Sequence, residues 1–233
     1  MNDSSVMVVT GSRKGIGRAV ANHYLDAGWV VVGASRGPAS IDSSRYHHFS
    51  VDVGDEVAVA KLFTETRQRF GRVDALVNNA GVASVNHALL TPAESVRRIM
   101  ETNLTGTFVC CREAAKVMRR RRFGRIVNFA SVAVPLELEG EAAYAASKAA
   151  VITLSRILAR ELGPMGITVN VVGPGPIETD MTRALSEEML ERLLARLPLQ
   201  KPTESRDITN VIDFFLRPES DAVTGQVIYL GGG

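Results

Sequence analysis

The chain has 233 residues, of which 22% are charged and 45% hydrophobic, and its formal net charge is +2. This composition is ordinary for a globular protein and excludes the strong positive field expected of a nucleic-acid-binding or membrane-surface protein. No apolar run approaches the roughly 18 residues of a membrane-spanning helix, so we expect a soluble, cytoplasmic protein without a nucleic-acid or membrane partner.

The N-terminal part of the chain predicts a strand, a helix and a second strand. Val6–Thr10 is a short unbroken apolar run, typical of a strand buried on both faces of a parallel sheet. A glycine cluster follows, and then an amphipathic helix that runs to about Ala27 and ends at Gly28. Trp29–Gly33 is the second strand, which completes a βαβ unit of about 30 residues.

Strands and helices continue to alternate along the rest of the chain. Residues 34–50 show no helical period, which predicts a loop or one short helical turn before a third strand. The later strands are predicted at His48–Val51, Ala75–Asn78, Arg125–Phe129, Ile167–Val172 and Gln226–Leu230. The later helices are predicted at Glu56–Phe70, from an N-cap at Thr91, near Gly106–Arg121, and at Glu141–Leu162, Met181–Leu197 and Ser205–Leu216. This order predicts an α/β fold for residues 1–233: one Rossmann-type, doubly wound domain with a mainly parallel seven-stranded sheet and helices on both faces.

The adjacent residues Cys110 and Cys111 suit neither an ordinary disulfide nor the spacing of a metal site. We therefore expect two reduced thiols in a reducing compartment and no metal.

A glycine cluster lies between the first strand and the first helix. Its spacing, Gly11-x3-Gly15-x-Gly17, differs from GxGxxG, but its position suits a dinucleotide diphosphate. Glycines let the backbone approach the ligand, and a helix N-terminus supplies amide donors and positive potential. The predicted contacts are Gly11, Ser12, Arg13, Lys14, Gly15, Ile16 and Gly17.

The end of the second strand predicts which dinucleotide is bound. A site that prefers NAD usually places an acid there to bind the ribose diol. This chain has Ser35 and Arg36 and no acid, so Arg36 can pair with a 2′-phosphate, assisted by Ser35 and by Arg13 or Lys14. The pattern favours NADPH/NADP+, although Arg36 could also be an ordinary surface residue.

A tyrosine and a lysine four positions apart, Tyr144 and Lys148, fall in a predicted helix and therefore share one of its faces. An ammonium beside a phenol favours the ionised phenol, so we expect the pKa of Tyr144 to lie below its usual value of about 10. The alternative is a surface helix on which both side chains merely reach water. Ser131 follows strand five at the carboxyl edge of the sheet, where it serves either a ligand or a loop cap.

With these motifs in order, the chain resembles the short-chain dehydrogenase/reductase family over essentially its whole length. Within that family it is most similar to 3-oxoacyl-[acyl-carrier-protein] reductases, in segments 127–132, 197–199 and 223–232. The resemblance implies a catalytic tetrad of Asn103, Ser131, Tyr144 and Lys148, in which Asn103 holds a water for the proton relay. It also implies a homotetramer or homodimer. Further cofactor contacts implied by the resemblance are Asp52 and Val53 at the adenine, then Asn79, Ala80, Gly81, Tyr144, Lys148, Pro174, Gly175, Ile177 and Thr179.

The expected function is NADPH-dependent reduction of a ketone, for example a 3-oxoacyl thioester, to a secondary alcohol, with Tyr144 as proton donor and helix 181–197 as a lid. The alternatives are an NAD-dependent alcohol dehydrogenase and a catalytically silent cofactor-sensing protein of the same fold. The connection between strands two and three is shorter than the family's usual one. Three acids near the substrate mouth, Glu137, Glu139 and Glu141, would oppose an acidic carrier protein.

Overall fold

A computed structural model of the chain describes residues 4–177 and 187–232. In that part of the chain one seven-stranded sheet has the order β3-β2-β1-β4-β5-β6-β7, and every neighbouring pair is parallel. The predicted doubly wound α/β fold is confirmed. The strands are β1 (Val6–Thr10), β2 (Val30–Ser35), β3 (Tyr46–Ser50), β4 (Ala75–Asn78), β5 (Gly124–Phe129), β6 (Ile167–Gly173) and β7 (Val227–Tyr229).

Eight α-helices connect or flank the strands in the described residues. Their bounds are α1 (Gly15–Asp26), α2 (Glu56–Phe70), α3 (Ala93–Met100), α4 (Gly106–Met118), α5 (Ala133–Leu136), α6 (Ala142–Leu162), α7 (Glu187–Ala195) and α8 (Ser205–Leu216). A single π-helical segment, Glu101–Thr105, joins α3 to α4. None of the helices described is long and apolar enough to span a membrane.

The core has two layers because side chains of the buried strands alternate between the two faces of the sheet. Val6 and Val8 point into a cluster with α2, α4 and α6, whereas Met7 and Val9 point into a cluster with α1 and α8. Burial on both faces explains why the strands are runs of valine and isoleucine.

Three predicted boundaries are wrong. β2 extends to Ser35, and β3 begins at Tyr46 rather than His48, because backbone pairing with the neighbouring strand continues through polar residues. Thr91 does not cap the next helix; its hydroxyl donates to the carbonyl of His87, and α3 begins after Pro92. The connection between β2 and β3 contains no helix, as predicted. The first part of the expected lid, residues 181–186, lies outside the described residues.

Candidate active site

A cleft of about 940 Å³ opens along the carboxyl edge of the sheet. β1 lies between β2 and β4, so the chain reverses its winding direction there, and open α/β sheets bind ligands at such a point. Most of the residues predicted from the sequence meet in this cleft. They are Gly11, Arg13, Lys14, Gly15, Ile16, Ser35, Arg36, Asp52, Val53, Asn79, Ala80, Gly81, Ser131, Tyr144, Lys148, Pro174, Gly175 and Ile177.

The glycine loop is packed too closely for side chains. Gly11 has a φ of +69°, and a Cβ on it would lie 2.7 Å from the Asn79 amide nitrogen. A Cβ on Gly17 would overlap the same amide and the carbonyl of Gly11. Asn79 holds the loop by donating to the carbonyl of Thr10 at 3.0 Å.

Helix α1 begins at Gly15 without a side-chain cap, so the loop presents helix N-terminal amides to the cleft. An anionic diphosphate fits these amides and the positive end of the helix dipole.

Two arginines border the cleft beyond the glycine loop. Arg36 is exposed, and its guanidinium has no hydrogen-bond or ion-pair partner among the described residues. Arg13 packs against the turn that carries Arg36, since a Cβ on Gly37 would lie 2.9 Å from Arg13 Cδ. This end of the cleft therefore suits a phosphate monoester.

Ser131, Tyr144 and Lys148 face the same cleft from β5 and α6. The Ser131 hydroxyl lies close enough to that of Tyr144 to act on its pKa. Lys148 is buried and donates from Nζ to the carbonyl of Phe129 at 2.9 Å. The ammonium lies 5.8 Å from the centre of the Tyr144 ring.

The expected low pKa of Tyr144 is not found. Burial raises this pKa to about 12; the Ser131 hydroxyl lowers it, and the carboxyl of Glu141 raises it. Burial also lowers the pKa of Lys148 to about 8. Proximity of opposite charges favours ionisation, but loss of hydration opposes it, and here desolvation dominates for both groups.

Comparison with known proteins shows which family the chain belongs to. Residues 11–233 match the family described as enoyl-(acyl carrier protein) reductase. The chain belongs to the short-chain dehydrogenase/reductase family. It is 36% identical to the 3-oxoacyl-[acyl-carrier-protein] reductase FabG of Escherichia coli, an alignment that covers 99% of this chain and 97% of that protein. The same identity holds for FabG of Staphylococcus epidermidis over 100% of this chain and 99% of the relative.

Solved structures share the fold. A putative gluconate dehydrogenase from Agrobacterium tumefaciens superposes with a TM-score of 0.89 at 31% identity, covering 98% of this chain and 95% of that one. The structure titled "ElxO with NADP Bound" also has a TM-score of 0.89, at 29% identity, covering 97% and 96% of the two chains. Membership in this family makes the chain an oxidoreductase.

Three of the predicted residues do not line the cleft. Ser12 is fully buried, and its hydroxyl lies 2.9 Å from that of Tyr46. Gly17 lies behind the glycine loop, against Asn79. Asn103 lies behind the wall of the cleft, and Thr179 lies outside the described residues.

Asn103 is fully buried in the π-helical segment. Its side-chain oxygen accepts from the Val82 amide at 2.8 Å, and its Nδ2 donates to the Val82 carbonyl at 2.9 Å and to Ser147 Oγ at 3.0 Å. The side chain thus ties the loop after β4 to helix α6. The water-holding role implied for Asn103 by the family resemblance stays a prediction. π-helical segments occur frequently at functional sites, and this one places a side chain between two elements of the site.

The three acids of the loop before α6 have different surroundings. Glu137 and Glu139 are exposed, whereas Glu141 is partly buried and lines the cleft. Burial raises the pKa of Glu141, and its charge acts on Tyr144 three residues later. No described residue forms a hydrogen bond or ion pair with the Glu141 carboxyl.

Several cleft residues were not identified from the sequence. Arg98 and Thr102 line the cleft from α3 and the π-helical segment. Apolar contacts come from Val82, Val85, Leu138 and Leu193. No short motif marks these positions, although Leu193 falls in the helix 181–197 that was expected to form a lid.

Proposed function

We propose that this protein reduces a ketone to a secondary alcohol with NADPH. The observation that carries the proposal is that Ser131 and Tyr144 share one cleft with the two arginines Arg13 and Arg36. The pair is suited to binding and protonating a carbonyl oxygen, and the arginines are suited to a cofactor phosphate.

The residues of the cleft fit NADPH. The close-packed glycine loop would hold the diphosphate at the N-terminus of α1, and Arg36 with Arg13 would hold the 2′-phosphate. The absence of an acid at the end of β2 disfavours NAD, and the similar ElxO structure has NADP bound. When bound, NADPH supplies the hydride that reduces the carbonyl carbon.

Tyr144 is suited to donate a proton rather than to accept one. A phenol with a pKa of about 12 is almost fully protonated at neutral pH, so it can give a proton to the carbonyl oxygen as negative charge develops there. Ser131 would donate a hydrogen bond to the same oxygen and orient it. Lys148, anchored on the Phe129 carbonyl, places a positive charge beneath the phenol and favours the tyrosinate that proton transfer leaves behind.

The substrate class we propose is a 3-oxoacyl thioester. Its support is the full-length similarity to 3-oxoacyl-[acyl-carrier-protein] reductases, together with the apolar side chains Val85, Leu138 and Leu193 in the cleft wall. The exposed Glu137 and Glu139 would weaken docking of an acidic carrier protein, so we propose that a small thioester is reduced as well as a carrier-bound one.

The deciding experiment measures NADPH consumption by the purified protein with three substrate groups: 3-oxoacyl thioesters, free ketones and quinones. We expect the thioesters to have the highest kcat/KM. Tyr144→Phe keeps the shape of the ring and should lower ketone reduction by on the order of 100-fold or more. Reduction of none of these compounds, despite NADPH binding, would support the catalytically silent alternative instead.

We also propose that the protein forms a homodimer or homotetramer. The exposed apolar side chains Phe108 on α4 and Ile157 on α6 lie on two helices that contact each other, and a second copy of the chain would cover both. Sedimentation velocity of the wild type and of Phe108→Glu tests this proposal; a wild-type monomer would contradict it.

We also propose that the protein is located in the cytoplasm. Cys110 and Cys111 are both free and fully buried, and burial raises the pKa of both thiols. Unpaired buried cysteines are compatible with a reducing compartment. Localisation of a fluorescent fusion, compared with a secreted control, tests it.

A further inference from the structure

A chain of hydrogen bonds lies beneath the arginine end of the cleft. The Tyr46 hydroxyl is 2.9 Å from Ser12 Oγ and 3.2 Å from His48 Nδ1. The other ring nitrogen of His48, Nε2, is 2.8 Å from the carbonyl oxygen of Gly37. We call the three residues Ser12, Tyr46 and His48 the β3 column, because two of them lie on one face of β3.

The direction of these hydrogen bonds follows from the chemistry of the groups. A carbonyl oxygen can only accept, so His48 Nε2 carries a hydrogen and donates to Gly37. In the neutral imidazole Nδ1 is then an acceptor, and the Tyr46 hydroxyl donates to it. Ser12 donates to the Tyr46 oxygen, so every member of the column has a partner.

The column is buried, and it fits against β2 because residue 33 is a glycine. Tyr46 and Ser12 are 7% and 0% exposed. Gly33 of β2 lies against both, and a Cβ there would overlap the Tyr46 hydroxyl and lie 2.5 Å from Ser12 Oγ. Burial raises the pKa of Tyr46, while the hydrogen bond with Ser12 lowers it. A substitution at Gly33 would therefore displace the column.

The column connects the two segments that carry the arginines. Ser12 precedes Arg13 in the glycine loop, and Gly37 follows Arg36 in the turn after β2. Within that turn the Ser35 hydroxyl also donates to the Gly37 carbonyl, at 3.3 Å. No helix supports the connection between β2 and β3, so hydrogen bonds hold the turn near the glycine loop. Besides the column, Ser40 donates to the Arg13 carbonyl at 2.7 Å and Ser50 donates to the Arg36 carbonyl at 3.1 Å.

We propose that Tyr46 and His48 are positioning residues for cofactor selectivity: they hold the Arg36 turn against the glycine loop so that Arg13 and Arg36 together bind the 2′-phosphate of NADPH. This inference rests on the NADPH part of the proposed function. Neither residue lines the cleft, so both act through the two arginines.

The test measures binding of NADPH and of NADH to the purified wild type and variants by isothermal titration calorimetry. We expect Tyr46→Phe and His48→Ala each to weaken NADPH binding about tenfold, as expected for one or two lost hydrogen bonds, and NADH binding less than about twofold. His48→Gln keeps a donor for Gly37 and should restore much of the NADPH affinity. His47→Ala is the matched control, because His47 points to the opposite face of β3 and contacts Phe70.

The titrations distinguish the role of the column from the cofactor assignment. Equal losses for NADPH and NADH, or unchanged binding in both variants, would overturn the proposed role of the column while leaving the cofactor assignment in place. A wild type that binds NADH as tightly as NADPH would instead overturn the cofactor assignment, and the column's role with it. Thermal unfolding of each variant identifies misfolding; if Tyr46→Phe fails to fold, the comparison of His48→Ala with His48→Gln decides.

Discussion

Asn103 donates from its side-chain nitrogen to Ser147 Oγ at 3.0 Å, and Ser147 in turn donates to the main-chain carbonyl of Tyr144 at 2.7 Å. This two-bond chain joins the π-helical segment to the first turns of α6, where the candidate proton donor is located. The Asn103 side chain therefore helps to fix the position of the helix that carries Tyr144.

The Asn103–Ser147 link can be removed in two ways. Asn103→Leu leaves Val82 and Ser147 without their partners, so we expect a loss of about 2 kcal/mol in the free energy of unfolding and a lower kcat. Ser147→Ala removes the link to Asn103 and the bond to the Tyr144 carbonyl but keeps the Asn103–Val82 bonds, and should cost about 1 kcal/mol. Urea unfolding and steady-state kinetics measure both quantities. Wild-type stability in Asn103→Leu would show that the buried amide is not needed.

Arg36→Ala should weaken NADPH binding by on the order of tenfold or more while leaving NADH binding nearly unchanged, because only NADPH carries the 2′-phosphate. Arg97→Ala is the matched control, since Arg97 is an exposed residue paired with Glu94 on α3. Fluorescence titration with both cofactors measures the effect. Equal losses for NADPH and NADH would place Arg36 away from the 2′-phosphate.

Glu141→Gln removes the negative charge that raises the pKa of Tyr144, so that pKa should fall. Reduction of 3-oxoacyl thioesters on an acidic carrier should also become faster, since repulsion at the mouth decreases. The readouts are the rise of tyrosinate absorbance with pH, compared with Tyr144→Phe to isolate Tyr144, and kcat/KM for carrier-bound and small thioesters. Glu139→Gln, which changes an exposed neighbour in the same loop, should leave the Tyr144 titration in place. An unmoved Tyr144 titration in Glu141→Gln would contradict the coupling.

The low pKa of Lys148 makes stability depend on pH. Its pKa is about 8 in the folded protein and 10.5 for the unperturbed group, so between these values the unfolded chain binds more protons than the folded one. The free energy of unfolding contributed by this group therefore rises with pH from about 8 to 10.5. Below about pH 8 the buried ammonium of Lys148 lowers the free energy of unfolding, and above pH 10.5 this destabilisation is gone.

The measurement is urea unfolding at several pH values from 7.5 to 9.5, a range chosen to stay below the titration of tyrosine in the unfolded chain at about 10. Relative to Lys148→Met, wild type should gain on the order of 1 kcal/mol across this range. Lys61→Met, which alters a lysine with 74% of its side chain exposed, should keep the wild-type slope. If the free energy of unfolding changes with pH in the same way for wild type and Lys148→Met, the lowered pKa of Lys148 is ruled out.

Local patterns were sufficient to predict most of the fold. Valine-rich runs such as Val6–Thr10 identify buried parallel strands, and Gly28 and Gly71 end their helices as expected. Boundaries failed where pairing with a neighbour outweighs local preference, as at Ser35 and Tyr46.

The sequence by itself determined the fold class and the edge of the sheet at which the site lies, because a parallel sheet brings all strand ends to one edge. The meeting of Ser131, Tyr144 and Lys148 was implied by the family resemblance. Only the tertiary structure decided that Asn103 lies behind the site, that Ser12 belongs to a column with Tyr46, and that the pKa of Tyr144 is high. The physical reason is that these properties depend on burial and on contacts between residues far apart in the chain, such as Asn103 and Ser147 at a separation of 44 positions. Periodicity and motif spacing contain no information about the hydration that each side chain loses.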